Sequence, residues 1–233
     1  LKQLKGPDQV RLRPGVIFGS DGLDGCCHSV FEILSNSIDE AREGFGNRII
    51  VTRYLDKSIE VQDFGRGIPI DYNKNEDKYN WELAFCTLYA GGKYDNNSGE
   101  SYSYSLGLNG LGLCSTQFSS EYMEVESNNG TWIYDLRFEK GYNVEKEERG
   151  FRRHQSDGKT GTRIKWKPDL DVFTDIDVPF EYFDDVMRRQ AVVNDGLTFV
   201  LRNEVRDEET GETRFEEHSY CYENGISDYL SEL

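Results

Sequence analysis

The sequence predicts an α/β fold in a single domain, and three observations carry that reading. Residues 31–41 place apolar side chains at helical spacing. Residues 48–62 form two β-rich runs broken by a polar turn. Residues 121–138 repeat that arrangement around Asn128-Asn129-Gly130. At 233 residues the chain is long enough for one sizeable core.

The helix comes first. At about 100° per residue, Phe31, Leu34, Ile38 and Ala41 fall on one side, and Glu32, Asn36, Asp39 and Glu43 on another. A solvated polar face has this pattern too. Two features point elsewhere: asparagine is a poor helix-interior residue, and Glu32 has no lysine or arginine four residues away. An acid beside an amide oxygen suits a hard cation together with an activated water.

Residues 48–55 and 58–62 read as a hairpin, which sets Asp63 at a strand end before Phe64-Gly65-Arg66-Gly67-Ile68-Pro69. A carboxylate there can accept a hydrogen bond from an exocyclic amino group, and an ordinary Asx turn is the plainer alternative. A short apolar helix is expected over 81–89, followed by Ala90-Gly91-Gly92-Lys93-Tyr94, a polar run, and Ser105-Leu106-Gly107-Leu108-Asn109-Gly110-Leu111-Gly112. Glycines at 107, 110 and 112 free backbone N–H groups for phosphate oxygens, with a helix beginning there. No Gly-Lys-Ser/Thr closes a Walker loop, and the glycine order is not that of a dinucleotide fold. The run before it would be a lid that closes over a ligand.

Further along, 121–127 and 131–138 read as a hairpin and 161–167 as a strand. Residues 180–193 read as a helix opening after Pro179, 197–205 and 213–221 as a hairpin around Glu209-Thr210-Gly211, and 225–233 as a short helix. Residues 96–104 and 145–158 are the expected low-order segments.

Together these stretches resemble the GHKL ATPases, the superfamily of type II topoisomerases, heat-shock chaperones, mismatch-repair ATPases and histidine kinases. The resemblance rests on Glu32-x-x-x-Asn36-x-x-Asp39-Glu40-Ala41, Asp63-x-Gly65-x-Gly67-Ile68-Pro69, Gly107-Leu108-x-Gly110-x-Gly112 and Thr160-Gly161-Thr162. Arg13-Pro14-Gly15-Val16-Ile17-Phe18-Gly19 and Ala90-Gly91-Gly92-Lys93-Tyr94 narrow it to the B subunits of bacterial type IIA topoisomerases, DNA gyrase or topoisomerase IV. The resemblance spans the whole chain.

It implies the Bergerat α+β two-layer sandwich, a mixed, mainly antiparallel sheet with helices on one face and ATP held between them. Glu32 would be the general base and Asn36 the Mg²⁺ ligand. Glu40 would belong to the nucleotide site. Asp63 would hold the adenine amino group, with Thr162 supporting it through a water. Gly67, Ile68 and Pro69 would line the base and sugar. Lys93, Gly107, Leu108, Asn109, Gly110, Leu111 and Gly112 would contact phosphates, within a lid of about residues 94–112. The chain departs from the usual pattern at Phe64, Ser103, Asn109 and Asp135. Asp135 falls where an arginine normally contacts aminocoumarins, so weakened aminocoumarin binding is expected unless Arg137, two residues on, fills that role.

The implied function is the ATP-hydrolysing motor of strand passage. The alternative is a nucleotide-binding regulatory module of the same superfamily with little turnover. The implied partners are ATP or competitive ATP-site inhibitors, a second copy of the chain, the topoisomerase A subunit and duplex DNA. The transducer, TOPRIM and DNA-gate regions are not recognisable, so a monomer that turns ATP over slowly is expected. A net charge of −16, from 27 basic and 43 acidic residues, is unfavourable for direct contact with duplex DNA. Five cysteines without C-x-x-C spacing suggest reduced thiols in a cytoplasmic protein, and no apolar stretch has the length of about 18 residues that a spanning helix needs. There is no signal-peptide pattern.

Overall fold

The computed structural model describes residues 3–88 and 112–232. In chain order the elements are α1 (Asp8–Arg11), α2 (Pro14–Phe18), α3 (Leu23–Arg42), β1 (Arg48–Arg53), β2 (Ile59–Asp63), β3 (Tyr72–Asn73), β4 (Lys78–Tyr79), α4 (Asn80–Cys86), α5 (Gly112–Phe118), β5 (Ser120–Asn129), β6 (Trp132–Glu139), β7 (Tyr142–Asn143), β8 (Arg152–Gln155), β9 (Thr160–Pro168), α6 (Phe180–Val193), β10 (Thr198–Arg206), β11 (Thr213–Tyr220) and α7 (Ile226–Glu232).

The main sheet runs β11-β10-β1-β2-β9-β5-β6-β7, with β8 paired to β6. Among the described strands β1 and β10 run parallel and every other pair is antiparallel. The sheet is thus mixed and mainly antiparallel, and β3 and β4 make a separate small hairpin.

Period-two alternation separates its faces. Val51, Val61, Ile164, Val125 and Leu136 are cross-strand neighbours in one row, and all are buried. The next row, Gln62, Arg163, Glu126 and Asp135, is polar and only partly covered. Helix α3 lays Cys26, Val30, Ile33, Leu34 and Ile38 onto the apolar face. Phe183 and Met187 of α6 join the same core beside Phe199 and Leu201. Each such aliphatic or aromatic side chain contributes about 1.5–3 kcal/mol on burial. Phe31 and Ala41, expected in the stripe, pack only at its margin. Asp39 is buried although helical spacing groups it with the polar face.

Two expectations need correction, and two helices were not expected. Helix α4 ends at Cys86, and Thr87 is already extended, so the helix expected over 81–89 is shorter. The segment expected to lack order within 145–158 contains β8. Its Arg-Arg-His-Gln side chains are all exposed, so no alternation marks it, and backbone pairing with β6 creates the strand. Helices α1 and α2 carry no periodic signal that would predict them. Both are single short turns, the second bounded by Pro14 at its start and Gly19 at φ +77° at its end.

Candidate functional site

The site forms where the end of β2 meets α3. Asp63 is the last residue of β2 and only 7 % exposed. Its Oδ1 accepts the backbone N–H of Gly65 at 3.0 Å and of Thr162 at 3.1 Å, and its Oδ2 accepts the Ser37 hydroxyl at 2.8 Å. Burial pushes this carboxyl above its ordinary value, and those three donors only partly offset it. The backbone closes tightly around it. Gly161 sits at φ +148°, and a Cβ there would lie 2.3 Å from the Asp63 carbonyl oxygen. Gly67 sits at φ +86° with the Asn128 carbonyl 2.6 Å from where a Cβ would be.

The Gly67-Ile68-Pro69 segment is pinned from the sheet. The Ile68 N–H donates to Thr162 Oγ1 at 3.2 Å, and Ser127 Oγ donates to the Ile68 carbonyl at 2.7 Å. Thr162 therefore supports Asp63 directly through its own N–H.

Helix α3, which reaches Asp63 through Ser37, supplies the other candidate groups. Asn36 Nδ2 donates to the Glu32 carbonyl at 2.9 Å, which leaves Oδ1 as the atom for a cation. The half-buried Glu32 carboxylate has Oε1 3.1 Å from His28 Nε2. Burial raises the Glu32 carboxyl, and His28 pulls it back. Gly112 of α5 lies against the same group: a Cβ there would lie 1.8 Å from Glu32 Oε2. Glu40, one turn beyond Asn36, is engaged by Arg66. The guanidinium donates from Nε at 3.1 Å and from Nη2 at 2.7 Å, and the Arg66 N–H adds a bond of 3.2 Å. Glu43 also pairs with Arg66, which lies 3.9 Å above the Phe45 ring.

No family model matches the chain. Gyrase B of Thermotoga maritima is 36 % identical over 233 residues, covering 100 % of this chain. Gyrase B of Staphylococcus aureus (strain N315) is 37 % identical over 235 residues, and that of Treponema denticola 35 % over 231. Among solved structures, the 43K ATPase domain of Thermus thermophilus gyrase B, in complex with an aminocoumarin, superposes with a TM-score of 0.78 at 28 % identity. That match covers 98 % of this chain and 55 % of that one. The chain belongs to the gyrase B family. It spans 34 % of the length of the relatives named, and its fold is that of the GHKL ATPase domains.

Of the site residues that the family resemblance implies, Asp63, Ile68 and Thr162 meet where β2 and β9 end, α3 carries Glu32, Asn36 and Glu40, and Gly112 of α5 abuts Glu32, with Gly67 and Pro69 flanking Ile68 in the chain. Lys93, Gly107, Leu108, Asn109, Gly110, Leu111 and Ser103 lie outside the described residues. Phe64, expected to make the base-side pocket more apolar, lines a neighbouring cavity of 360 Å³ with Phe45 and Arg66. Asp135 has His154 Nδ1 at 3.5 Å and Arg152 opposite it in register. Arg137, two residues on, is taken up by Glu124 and Glu139.

Three participants have no place in the motifs read from the sequence. His28 stands four residues before Glu32 and could be found by extending the i±4 search from lysine and arginine to histidine. Ser37 and Arg66 leave no local signal, because their partners Asp63 and Glu40 are each 26 residues away.

Proposed function

We propose that this domain binds ATP with magnesium and hydrolyses it as the motor of a type II topoisomerase, gyrase or topoisomerase IV. The observation that carries the reading is how Asp63 is held. Buried and triply bonded, it is tied by Ser37 to α3, beside Asn36 and on the helix that carries Glu32.

In this reading Asp63 accepts a hydrogen bond from the exocyclic amino group of adenine, as the charged acceptor already fixed by Ser37, Gly65 and Thr162. Gly67, Ile68 and Pro69 line base and sugar, and Glu40 fixes Arg66 at the rim. The donor set fits a magnesium ion. One amide oxygen, Asn36 Oδ1, is left open, and magnesium takes few protein ligands when phosphates and waters complete its octahedron. When bound it would neutralise charge on the phosphates. Glu32 takes the proton of the attacking water, with His28 holding its other oxygen. Lys93 and the 107–112 loop keep their expected part as phosphate contacts, within a single domain of residues 1–233 carrying a lid over about 94–112.

Strand passage itself, with a second copy of the chain, the A subunit and duplex DNA, belongs to the larger protein. The acidic charge of this domain leaves the DNA contacts to other regions. Competitive ATP-site inhibitors would enter the same site. Asp135, in place of a family arginine, would weaken aminocoumarins, and nanomolar novobiocin binding by calorimetry would contradict that.

Single-turnover hydrolysis tests the catalytic assignment. Glu32→Gln should bind the nucleotide yet lose phosphate release by at least about a hundredfold. Because burial raises the Glu32 carboxyl, the acid limb of the wild-type rate should lie above the ordinary glutamate range. Unchanged phosphate release in Glu32→Gln would remove Glu32 as the base.

A further inference from the structure

Helix α5 touches Glu32 at one end and is clamped at the other. Arg11, the last residue of α1, donates from Nη1 to the carbonyls of Phe118 and Ser120, both at 3.1 Å. Its Nη2 meets Asp169 Oδ2 at 2.5 Å. Asp169 is 2 % exposed and also receives Lys140 Nζ at 2.8 Å and the Asp171 N–H at 2.9 Å. Neighbouring contacts complete the clamp. Trp166 Nε1 donates to the Thr116 carbonyl at 3.0 Å, and Gln117 Nε2 to the Gly141 carbonyl at 3.1 Å. Gly141 itself lies so close to α1 that a Cβ would sit 2.6 Å from the Pro7 ring.

The last carbonyls of a helix have no partners within it, so an outside donor decides where that end rests. At Phe118 that donor is one guanidinium, planar and forked, reaching three acceptors at once. The described part of α5 has seven residues, about 10 Å of rise, too short to absorb a displacement by bending. A shift at Phe118 is therefore passed to Gly112, which lies so close to Glu32 that a Cβ there would stand 1.8 Å from Oε2.

We propose that Arg11 is a positioning residue for the phosphate end of the nucleotide site, acting through α5 and coupling the N-terminal helix to Glu32. This rests on the nucleotide reading above. A residue that merely stapled the fold would affect the base end and the phosphate end alike. Arg11 instead reaches α5, while Asp63 is held by Ser37, Gly65 and Thr162.

The test titrates the wild type, Arg11→Met and Arg11→Lys with a non-hydrolysable ATP analogue plus magnesium, and separately with adenosine. Arg11→Met should lose about tenfold in analogue affinity, within the usual range for coupled sites, while adenosine affinity stays within about twofold. Arg11→Lys, whose single ammonium cannot span three acceptors, should fall between them and decides the matter if the methionine variant does not fold. Parallel losses for both ligands, or no loss for either, would overturn the proposal. A wild type that binds neither ligand would instead overturn the nucleotide reading, and the proposal with it.

Discussion

Replacing Asp63 by asparagine should separate stability from binding, because the change is isosteric and the carboxylate is held so completely. In Asp63→Asn the retained oxygen still accepts the N–H groups of Gly65 and Thr162, and the new amide nitrogen faces Ser37 Oγ, which can turn from donor to acceptor. No buried group is orphaned. The wild-type carboxyl is raised by burial, so its ionised form costs stability at neutral pH, and that cost disappears only as the pH falls through its folded value. The variant removes the cost. Its melting temperature should be equal to or above that of the wild type, on a scale where about 1 kcal/mol moves a domain of this size by about 2–4 °C. Binding moves the other way. A hydrogen bond to a charged acceptor is worth about 1.5–3 kcal/mol, and here it gives way to two donors facing one another. ATP-analogue affinity should fall by about 10- to 150-fold in calorimetry. A variant that melts more than about 5 °C lower, or binds within about threefold of the wild type, would refute the roles given to Asp63.

Other changes probe the surroundings of the same site. In Gly112→Ala the new Cβ meets the far end of the flexible Glu32 side chain, so the fold should lose less than about 1 kcal/mol in denaturant titration while single-turnover hydrolysis falls by at least about tenfold. Gly161→Ala is the opposite case. Its φ of +148° and a backbone carbonyl 2.3 Å from the new Cβ leave nothing able to give, so a loss of about 3 kcal/mol or more is expected in urea unfolding. Asp169 supplies a pH signature. Burial alone would push its carboxyl up, but Lys140 and Arg11 hold it below the ordinary range, so its stabilisation is present above the unfolded value and is lost as the pH falls through the lowered folded one. Asp169→Asn should cost about 2–4 kcal/mol at neutral pH, with a smaller loss of stability on acidification than the wild type shows.

The fold was legible wherever burial is one-sided. The β1–β2 and β5–β6 hairpins alternate in two-residue steps, and β10 carries the buried run Phe199-Val200-Leu201. Helix α6 opens after Pro179 and runs to Val193, as its spacing predicts. Strand β8 was not legible, because its side chains are all exposed and nothing in its pattern marks its pairing with β6. On the site, Glu32, Asn36 and Asp63 could be singled out because each residue type is unusual in its local setting. What surrounds them could not. Ser37 and Arg66 matter through distant partners, and Arg11 holds acceptors 107, 109 and 158 residues away. Tertiary closure, not local propensity, makes those contacts.

Calorimetric titration of the chain with a non-hydrolysable ATP analogue and magnesium bears on both parts of the site at once. Saturable binding of one analogue per chain is expected. It should weaken on removal of magnesium, through the loss of the ion at Asn36, and on acidification, through the carboxyl of Asp63. An absence of binding at millimolar analogue by the folded chain would contradict the nucleotide assignment.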